Sequence, residues 1–480
     1  MVGTARTEHC EASLPQNELN WCSVSLSDVI SIGKRLEAAV FKIEGRHARE
    51  MVQNCKWGAK PFSEMISNSY YPNRFKRIYT EGSGIPFFLP SQIVEIFPQP
   101  EKFISELTEC DFGELKLRKN DLLLTRSGTV GKLSLVSETL AGTVFSDDVI
   151  RVTAKEGEAG FLYAYLQSRI GNMLLTTNRY GSVIQHIEPE HLTEIIVPNP
   201  SPALKKKIHD LVMQSFDLRD QSNNLIKEAT EKLAAALSLP PLEELAVKRF
   251  DNSKEVDNYN VKLSTSAQRF DASYHVSIVD AIVEHFKKNA AEVMTIGDTR
   301  ISKEIILPGR FKRVYVEEGH GRVFIGGKQL FELDPSNKKY LSLVHHGSRI
   351  EKQLELQENM ILITCSGTIG KVTLTPKHWE HWAANQHIIR VVPATEDMAG
   401  YLSIFLASDY GRALVTRFTY GSVVDEVDST HIAQVQIPLL KDKQVQEEIN
   451  RLALEANKLR YEAYQLEQKA LKMIETDVLV

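Results

Sequence analysis

Apolar positions follow two different rhythms along this chain. Over residues 203–237 (ALKKKIHDLVMQSFDLRDQSNNLIKEATEKLAAAL) they recur every seven residues: Leu211, Leu218 and Leu225 form one seam, and Ile208, Ser215, Ser222 and Ala229 form the alternate one. The same arrangement returns over residues 441–474, with Leu452, Leu459 and Leu466 on one seam and Ile449, Ala456, Ala463 and Ala470 on the other. A leucine seam beside a small-residue seam is a coiled-coil pattern. At ~1.5 Å per residue, about 35 residues make a rod of roughly 50 Å, too long to cover one compact domain. The simplest arrangement packs the two rods against each other as a spacer. Leu211, Ser215, Leu218, Ser222 and Leu225 then meet Leu452, Ala456, Leu459, Ala463 and Leu466, and the small residues set a close approach.

Elsewhere the runs are short. Residues 121–125 (DLLLT) and 360–364 (MILIT) are continuous apolar runs ending in Ser-Gly-Thr-x-Gly, which predicts buried strands entering a hairpin. KLSLV, VIRVT, VTLTP and IIRVV read as strands by β-branched content. Residues 160–175 have helical spacing, with Leu162, Tyr165, Leu166 and Ile170 on one face. A last strand, EIIVPNP or QVQIPLL, delivers the chain into each long helix through proline, which the first helical turn tolerates.

These elements occur twice. Arg35-Leu36-Glu37-Ala38 resembles Arg269-Phe270-Asp271-Ala272, NRFKRIY (73–79) matches GRFKRVY (309–315), and NDLLLTRSGTVGK (120–132) matches NMILITCSGTIGK (359–371). DDVIRV (147–152) then matches QHIIRV (386–391), GFLYAYLQSRIGNMLL matches GYLSIFLASDYGRALV, and RYGSV matches TYGSV. The offset drifts by only a few residues, so the chain reads as a tandem duplication. The expected architecture is mixed α/β: two tandem globular units, separated and joined by two long antiparallel coiled-coil helices, with pseudo-twofold symmetry. The expected boundaries are an N-terminal extension at 1–34, a first globular unit at 35–200, a central long helix at 201–240, a linker at 241–268, a second unit at 269–438, and a C-terminal long helix at 439–480.

Composition changes this picture little. The 480 residues are 42% hydrophobic and 25% charged, as in ordinary globular proteins. The polar start carries no signal-peptide run and no segment is apolar enough to span a membrane, so a cytoplasmic protein without a membrane partner is expected. Five scattered cysteines, none in C-x-x-C spacing, argue against a zinc site or a disulfide framework, and no metal site is expected. Net charge is −5, so any nucleic-acid partner must be met by local positive charge.

Catalytic signatures are missing. Ser127-Gly128-Thr129-Val130-Gly131-Lys132 has two residues between its glycines where a Walker A loop needs four, and Leu133 or Val372 follows the lysine instead of Ser or Thr. It reads as a hairpin whose glycines supply positive φ, with phosphate contact as a secondary use. Asp147-Asp148 has the form of a carboxylate pair for metal-dependent cleavage, yet Gln386-His387 stands at the matching place. His191 and His431 recur before the last strand, where a cap or turn role is the plainer reading.

Two clusters suit an anionic partner. Arg74, Lys76 and Arg77 flank Phe75, and Arg310, Lys312 and Arg313 flank Phe311, so an alternating strand would turn charge outward and rings inward. The second cluster is the loop holding Arg179, Tyr180, Ser182 and Gln185, matched by Tyr420 and Ser422. Small polar residues with an amide suit phosphates and base edges. With the hairpin turns and their flanks (Arg126, Ser127, Thr129 and Lys132; Ser366, Thr368 and Lys371) these are the candidate DNA-contacting residues.

The repeated order of globular unit and long helix, with S-G-T-x-G and Y-G-S turns in each unit, resembles the specificity subunit of type I DNA restriction–modification enzymes over residues 35 to 476. The helix entries depart from the Pro-Pro-Leu-x-Glu-Gln signature common there, reading Asn199-Pro200-Ser201-Pro202 and Pro438-Leu439-Leu440-Lys441. The resemblance implies a non-catalytic subunit whose two target recognition domains each read half of a bipartite site in double-stranded DNA. It implies two docked methyltransferase subunits, with S-adenosylmethionine bound on them and no cofactor on this chain, and a separate motor-nuclease subunit. Arg126 against Cys365, Asp147-Asp148 against Gln386-His387, and Gln185-His186 against Asp425-Glu426 differ between the units, which predicts unlike half-sites. The alternatives are a metal-dependent nuclease using Asp147 and Asp148, and a coiled-coil scaffold for protein partners only.

Overall fold

Two four-stranded sheets of identical strand order frame the molecule, one in each half of the chain. The first runs Ile66–Tyr70, Val149–Ala154, Leu122–Thr125, Leu133–Leu135, and the second Ser302–Ile306, Ile388–Pro393, Ile361–Thr364, Val372–Leu374, all antiparallel. The computed structural model describes residues 23–31, 41, 43–80, 82–177, 179, 185–247, 261, 263, 269–275, 277–421 and 423–480. Tyr180, Ser182, Ser422, residues 35–38 and most of the expected linker lie outside the described residues.

The unbroken apolar runs are explained by burial on both sheet faces. Leu122, Leu124, Ile150 and Val152 face the helical side, whereas Leu123 and Val149 pack against Phe88, Ile93 and Phe145. Ile361, Ile363, Ile389 and Val391 divide from Leu362 and Ile388 in the same way. A smaller sheet lies alongside each: Tyr79–Thr80, Lys102–Ile104, Ile85–Phe88, Val144–Phe145 in the first half and Tyr315–Val316, Lys339–Ser342, Gly321–Ile325, Ala383–Ala384 in the second, with the last pair of each parallel.

The helical stretch at 160–175 is two helices, Ala159–Gln167 and Arg169–Thr177, with Glu396–Ala407 and Asp409–Thr416 as counterparts. The break falls at Ser168, whose extended backbone and side-chain bonds to Tyr165 O and Gly171 N start the second helix. The linker also departs from expectation, beginning with a helix at Leu242–Val247.

The long helices are Pro202–Ala236 and Lys443–Met473. Ser201 Oγ caps the first by accepting from Leu204 N, and Asp442 caps the second by accepting from Gln444 N and Val445 N. They lie side by side and antiparallel: Ser215 Oγ donates to Ala463 O at 2.7 Å, Arg219 pairs with Glu467 at 2.5 Å, and Lys232 pairs with Glu448 at 3.1 Å. The small-residue seam is the inner one. Ile208, Ser215, Ser222, Ala229, Ile449, Ala456, Ala463 and Ala470 are all fully buried, while Leu218, Leu225, Leu459 and Leu466 are only half-buried. The small residues bring the backbones close, and these four leucines flank the contact.

Each rod begins in one half of the molecule and ends in the other. Ile208, Leu211, Val212 and Phe216 of the first helix share a core with Ala470 and Met473 of the second, and Ile449, Leu452 and Ala453 share the other core with Ala229 and Leu233. Trp57 Nε1 donates to Asp477 O, tying the chain's end to the first half. Glycine permits the crossings: a Cβ at Gly400 would lie 2.3 Å from Asn450 O, and one at Gly160 2.7 Å from His209 O. The same long-helix residues accept from the crossing helix, with Gly400 N donating to Asn450 Oδ1 and Gly160 N to His209 Nδ1.

Candidate nucleic-acid interface

In each half, one edge of the sheets gathers three segments brought together by backbone bonds. The turn after Leu122–Thr125 uses Gly128 and Gly131 at φ 73° and 90°, and its counterpart uses Gly367 and Gly370 at 75° and 79°. Gly128 N donates to Gln185 O and Ile187 N to Arg126 O, while Gly367 N donates to Asp425 O and Val427 N to Cys365 O. The turn before each central strand completes the edge, through Arg126 N to Asp148 O and Cys365 N to His387 O.

That last turn is held from beneath by a buried arginine. Arg151 donates to Val149 O, Leu115 O and Phe145 O, and Arg390 to Ile388 O, Leu354 O and Ala384 O. Both guanidiniums are hydrogen-bonded to carbonyl oxygens. Burial pushes their pKa values down, to about 10 for Arg151 and about 9 for Arg390. These arginines shape the loops that carry Asp147-Asp148 and Gln386-His387.

The residues on this frame differ between the halves. Arg126, expected at the DNA surface, is 8% exposed and clamped: it pairs with Glu188 at 2.6 Å and Asp148 at 3.2 Å, with its guanidinium 4.3 Å from the Tyr71 ring. Burial opposes its charge, and the hydrogen bond and charge of Glu188, the Tyr71 phenol and the hydrogen bond from Arg126 to Asp148 more than restore it. Ser127 Oγ bonds Asp148 Oδ1 at 2.7 Å and His186 Nδ1 at 2.8 Å. At the matching position Cys365 is a buried thiol, its pKa raised to about 12 by burial and by Glu426.

The basic–aromatic stretch is not a strand. Residues 71–78 form no ladder, because regular pairing begins only at Tyr79–Thr80. The rings still turn inward: Phe75 meets Phe87 edge-on at 6.3 Å and Phe311 meets Phe324 at 6.3 Å. Arg77 and Arg313 do not face outward as expected. Arg77 lies over Phe87 and pairs with Asp147, and Arg313 Nη2 donates to Gln386 Oε1 at 2.6 Å. Arg74, Lys76 and Lys312 are exposed and make no ion pair among the described residues, whereas Arg310 pairs with Glu426 at 2.9 Å.

Thr129 and Thr368 are exposed at the turn tips, Ser366, Arg179 and Gln185 are half-buried, and Tyr420 is 41% exposed with its backbone paired to Glu426. Lys132 and Lys371 do not join this face. Each leaves the foot of its hairpin for the other half, Lys132 to Glu332 at 2.5 Å and Lys371 to Glu101. Both corrections have one cause: the carboxylate partners lie far away in sequence. Glu188 and Tyr71 were missed for the same reason.

The recurring histidines and the acidic pair are engaged within the fold. His191 Nδ1 accepts from Glu188 N and His431 Nδ1 from Asp428 N, both as helix caps. Asp147 and Asp148 are each held by an arginine, and the described residues hold no group of three or more candidate metal ligands. No helix among them is long and apolar enough to cross a membrane.

Residues 323–452 match the family described as the type I restriction modification DNA specificity domain. No curated protein matches the chain. Among solved structures, the S subunit of the type I restriction–modification system of M. genitalium aligns over 89% of this chain and 96% of its own, at 13% identity and TM-score 0.28. The HsdS subunit from Thermoanaerobacter tengcongensis aligns over 88% and 96%, at 12% identity and TM-score 0.27. Scores of this size do not establish a shared fold.

Proposed function

We propose that the whole chain, whose residues 323–452 match the type I restriction modification DNA specificity domain, is the non-catalytic, cytoplasmic specificity subunit of such a system. In this reading residues 35–200 and 269–438 are its two target recognition domains, 201–240 and 439–480 its antiparallel coiled coil, and 241–268 the linker. The observation that carries it is the repeated edge: one frame of turns and buried arginine, built twice at opposite ends of paired helices, with different side chains on each copy. A frame held constant while its surface varies is what reading two unlike half-sites requires.

The same reading assigns the helix entries to partners. A groove of about 610 Å³ runs beside Ser201, Lys205 and His209, and one of about 760 Å³ beside Glu447, Arg451 and Lys458. The first groove lies at the start of its helix and the second runs along the other helix from Glu447 to Gln465; in this reading they take the two methyltransferase subunits. S-adenosylmethionine binds on those subunits, and a motor-nuclease subunit joins when cleavage is needed. Nothing in the geometry favours the nuclease or protein-only readings.

The test is co-expression with the neighbouring methyltransferase, followed by mapping of methylated adenines. An asymmetric bipartite motif is expected; a palindromic or continuous motif would overturn it. Ser222→Leu or Ala463→Leu should slow methylation at the native spacing by forcing the rods apart.

A further inference from the structure

The two halves also touch directly, away from the helices. Glu95 and Glu332 occupy matching positions in the two halves, and their backbones form an antiparallel bridge, with Ile96 N donating to Phe331 O at 2.8 Å. Pairing of equivalent residues places this contact on the pseudo-twofold axis. On either side, the lysines that close the matching hairpins cross over: Lys132 Nζ lies 2.5 Å from Glu332, and Lys371 pairs with Glu101 while lying 5.3 Å from the Phe331 ring. The long helices seat both arms, through Asn223 Nδ2 to Ile96 O at 2.8 Å and Gln468 Nε2 to Asp334 at 3.1 Å.

We propose that this clasp locks the two recognition units to one another, and that Lys132, Glu332, Lys371 and Glu101 are positioning residues that fix the distance between the two DNA-reading edges. The inference rests on the specificity-subunit reading and adds a second determinant of spacing to the rods. The geometry is direct, because each hairpin presents Ser127 or Ser366 to the reading edge at its turn and grips the opposite unit at its foot. A shift of one unit therefore moves its reading turn against the other. One base pair of spacing corresponds to about 3.4 Å, and a packed rod pair alone still permits bending on that scale. Glu332 is 4% exposed, so losing Lys132 strands a buried carboxylate and opens the contact.

The test uses the full chain with its methyltransferase subunits and duplexes whose half-sites are separated by the native spacer or by one base pair more or fewer. Wild type should methylate one spacing. K132E and E332K should each reduce the preference for that spacing by about tenfold, and the charge-swapped double variant should recover most of it. Singles that keep the wild-type spacer profile, or a double no better than the singles, would overturn the proposal. A second arm does not depend on DNA: E95C/E332C should form an internal disulfide under mild oxidation, read as a mobility shift reversed by reductant. A folded variant that forms none overturns the clasp. If the disulfide forms but wild type discriminates no DNA, the function reading fails and the clasp stands as an interdomain lock without a spacing role.

Discussion

The two candidate interface edges share a frame and differ in what stands on it. In the first half, Arg126, Asp148, Glu188, Ser127 and His186 form a closed ionic network, with Arg77 and Asp147 paired beside it. In the second, a neutral thiol replaces Arg126, and the polar groups are Gln386, His387 and a surface pair of Arg310 with Glu426. Yet Arg151 and Arg390, the four turn glycines and the helix crossings are the same in both. Agreement between copies marks what the fold needs; disagreement marks where the copies have separate work.

The sharpest way to break this comparison is at its centre. Arg126→Ala leaves Asp148 and Glu188 without their cation in a largely buried site, and should destabilise the first half by about 3–5 kcal/mol. Cys365→Ala removes only a small buried side chain and should cost about 1 kcal/mol. Thermal and urea unfolding of both variants measures the contrast, and equal losses would mean that Arg126 is not held as a network. The frame should respond more evenly. Gly400→Ala drives a methyl into Asn450 O and should cost about 3 kcal/mol, with Gly160→Ala less affected because its nearest contact is longer. Stability indifferent to both would show that the crossings are not tight.

Much of this frame is legible in the sequence because its causes are local. Continuous apolar runs announce strands buried on both faces, S-G-T-x-G announces a turn with two positive-φ glycines, and heptads announce the rods. The order of the seams is not legible, since periodicity shows which residues share a face but not which seam lies innermost; Ser215 and Ala463 win because small residues let backbones approach. The edge is harder still. Arg126 next to a polar turn looks like a surface cation until Glu188, 62 residues on, closes over it. Lys132 and Lys371 look like phosphate ligands until partners 200 and 270 residues away take them. Such pairings depend on tertiary placement, which no local pattern encodes.

The contact between the halves adds a pH dependence that neither half has alone. Burial pushes the Glu95 carboxyl up to about 7, against the pull of Lys371 and with the push of Glu101 and Glu332. Three carboxylates thus meet two lysines, Lys132 and Lys371. The folded pKa lies above the unfolded value of about 4.5, so the folded state holds more protons between these limits and stability falls as pH rises through this window. Between pH 6 and pH 8 the loss should be about 1 kcal/mol. Glu95→Gln should remove this component, and a variant that keeps the full wild-type slope would place the titrating group elsewhere.

The smallest effects on folding belong to the exposed cations, and they separate phosphate contact from frame most cleanly. Arg74 and Lys76 stand free of ion pairs among the described residues, whereas Arg310, the counterpart of Arg74, already pairs with Glu426. A free cation that meets a phosphate contributes about 0.9 to the slope of log affinity against log salt. The double variant R74A/K76A should therefore lower the slope by about 2, and K312A by about 1. Arg310→Ala should change it less, because Glu426 competes with the phosphate for the same guanidinium. None of these changes should alter the methylated motif, since phosphate contacts carry no base identity. Equal slopes for R74A and R310A would mean that DNA displaces Glu426 on binding, and the two edges would then be alike in charge despite their different networks.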